Sequence, residues 1–107
     1  MAKAPRDSKH HEARHKHGEE MEFRIAARRN RLLGLWAAEK MGLAGDDAVA
    51  YAKEVIASDF EEPGEEDVFR KVMADFRAKE AAVTEAELRE QMFTLLTTAR
   101  NQLASEK

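Results

Sequence analysis

The chain of 107 residues contains no cysteine, two prolines and five glycines. Without cysteine, disulfides, thiol nucleophiles and zinc–thiolate centres are excluded. The longest uninterrupted apolar run is Leu32-Leu33-Gly34-Leu35-Trp36-Ala37-Ala38, far short of the roughly 20 residues that a membrane span needs. No apolar stretch follows the basic N-terminus, so no secretory signal is read and a cytoplasmic location is expected. No segment alternates apolar and polar residues with period two, so no strand is expected. No repeat is evident. Glycine-rich phosphate loops are missing, and no serine–histidine pair can form in the body because every histidine precedes Gly18. An active site is therefore not legible, and neither enzyme activity nor a cofactor is expected.

A further absence divides the chain. From Ala2 to Glu20 there is no Val, Ile, Leu, Met or aromatic residue. That stretch carries Lys3, Arg6, Lys9, Arg14 and Lys16, the acids Asp7, Glu12, Glu19 and Glu20, and all of His10, His11, His15 and His17. Ordering a residue costs about 1–2 kcal/mol of conformational entropy, which this segment cannot offset by burying apolar surface. The expected organisation is a disordered or weakly helical arm over residues 1–18 and a folded domain over 19–107. Pro5 and Gly18 bracket the arm. Ser8 to Lys16 holds no helix breaker and is expected to become helical against a partner. The net charge of −3 is uneven. Residues 1–17 hold five bases against two acids, so the remainder carries six net negative charges. A basic arm on an acidic body suggests docking on an acidic surface rather than on nucleic acid.

The body reads as four helices, an all-α four-helix domain. The first is expected from about Glu19 to Met41, with Gly42 as its left-handed C′ residue and Leu43 as the hydrophobic C″ residue of a Schellman motif. It shows two apolar faces. One holds Met21, Ile25, Leu32, Leu35 and Trp36; the other holds Phe23, Ala26, Ala27, Gly34, Ala37, Ala38 and Met41. A helix apolar on two sides is packed on more than one side. Gly34 costs about 1 kcal/mol in a helix interior, and close approach of another helix would be its compensation. The second helix is expected over about Asp47–Ser58, capped by Asp46 or Gly45, with Ala48, Ala52, Val55 and Ile56 inward and Tyr51 at the edge. Ser58 to Gly64 reads as a turn. The third is expected over Glu65–Lys79, with a stripe of Val68, Phe69, Val72, Met73 and Phe76. The fourth opens on a capping box, Thr84-Glu85-Ala86-Glu87, with Val83 and Leu88 as its hydrophobic staple. Leu88, Met92, Leu95, Leu96, Ala99 and Leu103 line one face of it.

Three constellations bear on chemistry. His11 and His15 are spaced i, i+4, as zinc, nickel or copper ligands can be. His11-Glu12-Ala13-Arg14-His15 has the spacing of a His-Glu-x-x-His motif, but neither a cysteine nor a well-placed further carboxylate completes a site. Solvated histidines are the favoured reading, with a pH-tuned arm beside it, since imidazole titrates near pH 6.5. No metal is expected. The run Arg28-Arg29-Asn30-Arg31 either snorkels over core side chains, pairs with the acidic turn, or offers Arg28, Arg29 and Arg31 to a nucleotide or protein partner. Pro63 and Gly64 interrupt any calcium-loop register in Asp59 to Asp67, so helix-dipole complementation and solubility are the reading there.

The stretch from Phe23 to Glu39 resembles a signature of the ζ-subunit family, small regulatory proteins of F-type ATP synthases in alphaproteobacteria. Ala50-Tyr51-Ala52-Lys53-Glu54-Val55-Ile56 and Asp59 to Val72 resemble a second. The resemblance implies a four-helix domain with a mobile N-terminal arm. That arm inserts between the catalytic subunits and the central shaft, folds into a helix and blocks rotation in the hydrolysing direction. It implies partner contacts at Lys9, His10, His11, Arg14, His15, Lys16, His17, Phe23 and Arg24. Arms of the family carry phenylalanines in a pattern like Phe-x-x-Arg-Glu-x-x-Phe-Glu. This arm has no aromatic residue before Phe23. Interface energy concentrates in a few aromatic or arginine anchors, so weaker inhibition is expected. The alternative is a divergent family member acting as a nucleotide- or protein-binding helical module.

Overall fold

A computed structural model describes residues 3–61 and 65–106, with side chains described for 19–59 and 65–106. The described residues form α1 (Lys3–Lys40), α2 (Gly45–Glu61), α3 (Glu65–Ala78) and α4 (Glu85–Ser105), with no strand among them. The all-α, four-helix reading therefore stands. The side chains of residues 1–18, where a disordered or weakly helical arm is expected, lie outside the described residues.

α1 is longer than the sequence suggests. Its backbone runs through Gly18 to Lys3. Pro5 lies in the first turn, where its missing N–H breaks no intrahelical bond. One interior glycine costs only about 1 kcal/mol, too little to stop a helix that continues from a formed one. At the other end Gly42 has φ +79°. The Leu43 N–H donates to the Ala38 carbonyl at 2.8 Å and the Gly42 N–H to that of Glu39 at 3.1 Å. That is the expected Schellman closure. α3 ends the same way with Glu80 at φ 55°. There the Ala81 N–H donates to the Phe76 carbonyl at 2.8 Å.

α2 begins two residues earlier than expected and extends to Glu61, so Ser58 to Glu61 are helical rather than part of a turn. Residues 62–64 lie outside the described residues. At α4 the capping box forms as read. The Thr84 hydroxyl accepts from the Glu87 N–H at 3.1 Å, and the Glu87 carboxylate accepts from the Thr84 N–H at 3.0 Å.

Packing divides α1 into two segments. Its C-terminal part contributes Leu33, Ala37 and Ala38 to the main core. Tyr51 and Val55 of α2, the whole α3 stripe, and Leu88 and Met92 of α4 complete that core. Trp36 meets Phe76 edge to face at 5.9 Å. Further toward the arm, Ile25 packs with Ala99 and Leu103 of α4, flanked by Met21, Leu32 and Leu96. α1 and α4 thus run antiparallel, and the ion pair Glu22–Arg100 fixes the same register. Gly34 faces α2, where a Cβ would meet the Ala52 Cα at 2.5 Å. The close approach inferred for it is present.

Two features of the face assignment need correction. Leu33, which belongs to neither expected face, is fully buried. Phe23 and Leu35, placed on the apolar faces, are 54% and 36% exposed. Three helices surround α1 unequally, so the buried direction at any position depends on which neighbour has reached that level.

Candidate regulatory surface

The residues nominated for partner contact distribute over three places. Lys9, His10, His11, Arg14, His15, Lys16 and His17 belong to the N-terminal turns of α1, and their side chains lie outside the described residues. Phe23 and Arg24 follow one turn into the body. With Glu19 and Glu20 they line an open surface depression at the root of the arm. Phe23 is the first aromatic along the chain and is 54% exposed.

Arg28, Arg29 and Arg31 do not form one surface. Arg28 faces the C-terminal end of α4. It donates to the Gln102 Oε1 at 2.8 Å and the Glu106 Oε1 at 3.0 Å, with the second Glu106 oxygen at 2.8 Å. The Arg28 hydrogen bond holds the Glu106 carboxyl below the usual carboxylate range. The same contact raises the guanidinium against the opposing effect of desolvation. Arg31 is exposed and lines an open groove with Arg28 and polar residues of α4.

Arg29 is only 4% exposed and points the other way, toward α3. Its Nε donates to the Asn30 Oδ1 at 2.7 Å, and its terminal nitrogen reaches the Glu65 carboxylate at 3.4 Å. Burial pulls its pKa below the ordinary value, opposed by Glu65 and Asp59. An arginine nevertheless stays cationic at any physiological pH. Asn30 is fully buried, and its Nδ2 has no hydrogen-bond partner among the described residues. Arg29 therefore sits where it pins the first turn of α3 to α1.

The acidic turn is tied down in the same manner. Arg89 makes a two-pronged pair with Glu66 at 2.9 and 3.1 Å and lies 3.8 Å over the Phe69 ring. Arg70 pairs with Asp67. Acids at the N-terminus of α3 complement its dipole, and arginines from α1, α3 and α4 complement them in turn. Pairing with the acidic turn, one of the readings of the basic run, is what Arg29 does.

Sequence reasoning placed Tyr51 at an edge and did not see its network. Tyr51 is buried, and its hydroxyl donates to the Asp75 Oδ2 at 2.7 Å. Burial, then Asp75, pushes the phenol well above its ordinary pKa. Lys71 donates to the same oxygen at 3.0 Å and to Glu54 at 3.2 Å, and stands 5.4 Å from the Tyr51 ring centre. The cluster joins α2 to α3. The spacing Lys71/Asp75, i to i+4, was the one local signal that could have disclosed it.

The profile of the family described as ATPase inhibitor subunit zeta matches residues 1–102. The chain belongs to the ATPase inhibitor subunit zeta family. The match runs through the arm as well as the body. A solution NMR structure at 49% identity superposes with a TM-score of 0.71, over 81% of this chain and 99% of that one. No curated protein matches the chain. The zeta family is one of regulatory inhibitor subunits. No helix among the described residues is long and apolar enough to cross a membrane.

Proposed function

We propose that this chain is the inhibitory subunit of an F-type ATP synthase. In this reading residues 1–18 act as the effector arm, 19–107 as its holder, and the protein has no catalytic activity of its own. It works in the cytoplasm on the catalytic head and blocks rotation in the hydrolysing direction. The observation that carries the reading is the zeta-family match over residues 1–102, which includes the arm. The continuous backbone of α1 from Lys3 to Lys40 supports it. An arm that is the extension of a core helix transmits force to the body instead of swinging on a linker. Lys9, His10, His11, Arg14, His15, Lys16 and His17 supply charge complementarity. Phe23 and Arg24 supply the aromatic and arginine anchors that the arm itself lacks.

The test is ATP hydrolysis by the cognate head with an excess of the full chain or of the chain lacking residues 1–18. The expected result is inhibition by the full chain, deeper at pH 6 than at pH 8 because the imidazoles become cationic, and its loss on deletion. Unchanged hydrolysis at both pH values overturns the reading.

A further inference from the structure

α1 and α4 leave an open polar groove at the C-terminal end of α4. Arg28 and Arg31 form one wall; Thr98, Asn101 and Gln102 form the other, and Glu106 closes it. Arg24, Arg28 and Arg31 follow i, i+4, i+7, so they share one helical line spread over roughly 10 Å of axis. Among the described residues Arg24 and Arg31 make no hydrogen bond or ion pair and act on the Glu106 carboxylate only through longer-range charge, whereas Arg28 holds it at 2.8 Å. Glu106 is the C-cap of α4, and its side chain is half exposed. Exposed ion pairs are weak and exchangeable.

We propose that this groove docks an acidic segment of the synthase head, with a partner carboxylate taking the place of Glu106 on Arg28 and further carboxylates meeting Arg24 and Arg31. Glu106 is then an internal competitor that holds the groove until the partner arrives. This rests on the reading of the chain as a head-binding subunit. Two observations favour an acidic protein segment over a nucleotide. The resident ligand of Arg28 is itself a carboxylate. The three guanidinium groups are strung along a helix at the spacing of acids on a neighbouring helix, without the glycine-rich backbone cradle that gathers a polyphosphate.

The test is equilibrium binding of the full-length protein to the cognate head at several salt concentrations. Three proteins are compared: wild type, Arg31→Glu and Glu106→Gln. Arg31→Glu should weaken binding about tenfold and flatten its salt dependence, as loss of a steering charge does. Glu106→Gln should tighten binding about threefold or more by removing the competitor. Wild-type binding with both variants within twofold of it overturns the groove while leaving the inhibitor reading intact. So does tighter binding of ATP by Glu106→Gln with head affinity unchanged. No binding by wild type overturns the inhibitor reading, and the groove with it. If Arg31→Glu shifts the thermal midpoint, the direction of Glu106→Gln alone decides, because that exposed terminal change removes no core contact. Weaker or unchanged binding by Glu106→Gln then overturns the proposal.

Discussion

The two ends of α1 share one backbone helix and almost nothing else. From Met21 to Lys40 the helix is bolted by Ile25, Leu33, Ala37 and Ala38 against three neighbours. From Lys3 to Gly18 the sequence offers no large apolar side chain with which any such bolt could be made. Helix formation is limited by its nucleus, and extension from an existing turn is far easier. The body thus supplies the nucleus, and the arm extends it. The difference is a division along one helix: buried apolar side chains are concentrated in one end, and every histidine in the other.

The sharpest way to break that comparison is to damage each end in turn. Leu33 is fully buried in the main core. Leu33→Ala should cost about 3–5 kcal/mol, through lost transfer energy and the cavity left behind. Deleting residues 1–18 should leave the urea midpoint nearly where it is. Equal losses from the two changes, read in parallel urea unfolding, would mean that the arm belongs to the cooperative core.

The next test stays within the body. Gly34→Ala improves helix propensity by about 1 kcal/mol, but its Cβ would stand 2.5 Å from the Ala52 backbone. Backbone cannot yield as a flexible side chain can, so overpacking should prevail, with a net loss of about 1–3 kcal/mol. A variant as stable as wild type in the same assay would show that α1 and α2 can separate at little cost. The alanine faces of the two helices would then be loosely packed.

Features encoded within a few residues were legible. The Thr84–Glu87 box and the Gly42–Leu43 closure each need only a short motif, and both formed as read. The α3 stripe was legible because that helix is apolar on one side only. Leu33 escaped because α1 is apolar on several sides, and periodicity alone does not say which side is deepest. α2 runs past the turn expected from Ser58. Proline restricts chiefly the residue before it, so Pro63 leaves the helix free to continue to Glu61. Glu80 gave no glycine-like cue for its positive φ. At the candidate surface, Phe23 and Arg24 line one depression with Glu19 and Glu20. The divergence of Arg28 from Arg29 was not visible, because their partners Glu106 and Glu65 lie 78 and 36 residues away. Long-range pairing of charges has no spacing rule in sequence.

The smallest expected effect separates the two regions by pH. In the body, Arg89 holds Glu66, the Thr84 N–H holds Glu87, and Arg28 holds Glu106, each below the ordinary carboxylate value. A carboxylate with a depressed folded pKa stabilises above its unfolded pKa, near 4.3, and loses that contribution as pH falls through the folded value. Body stability should therefore be level from pH 8 to about 5 and decline only below that. The arm carries every histidine, and these change charge near pH 6.5. Inhibition should accordingly shift between pH 8 and pH 6, where the denaturation midpoint does not move. Measuring both quantities across pH 4 to 8 on one preparation decides the matter. A midpoint that falls together with the change in inhibition would place the pH sensor in the fold, and the separation between the two ends of α1 would be lost.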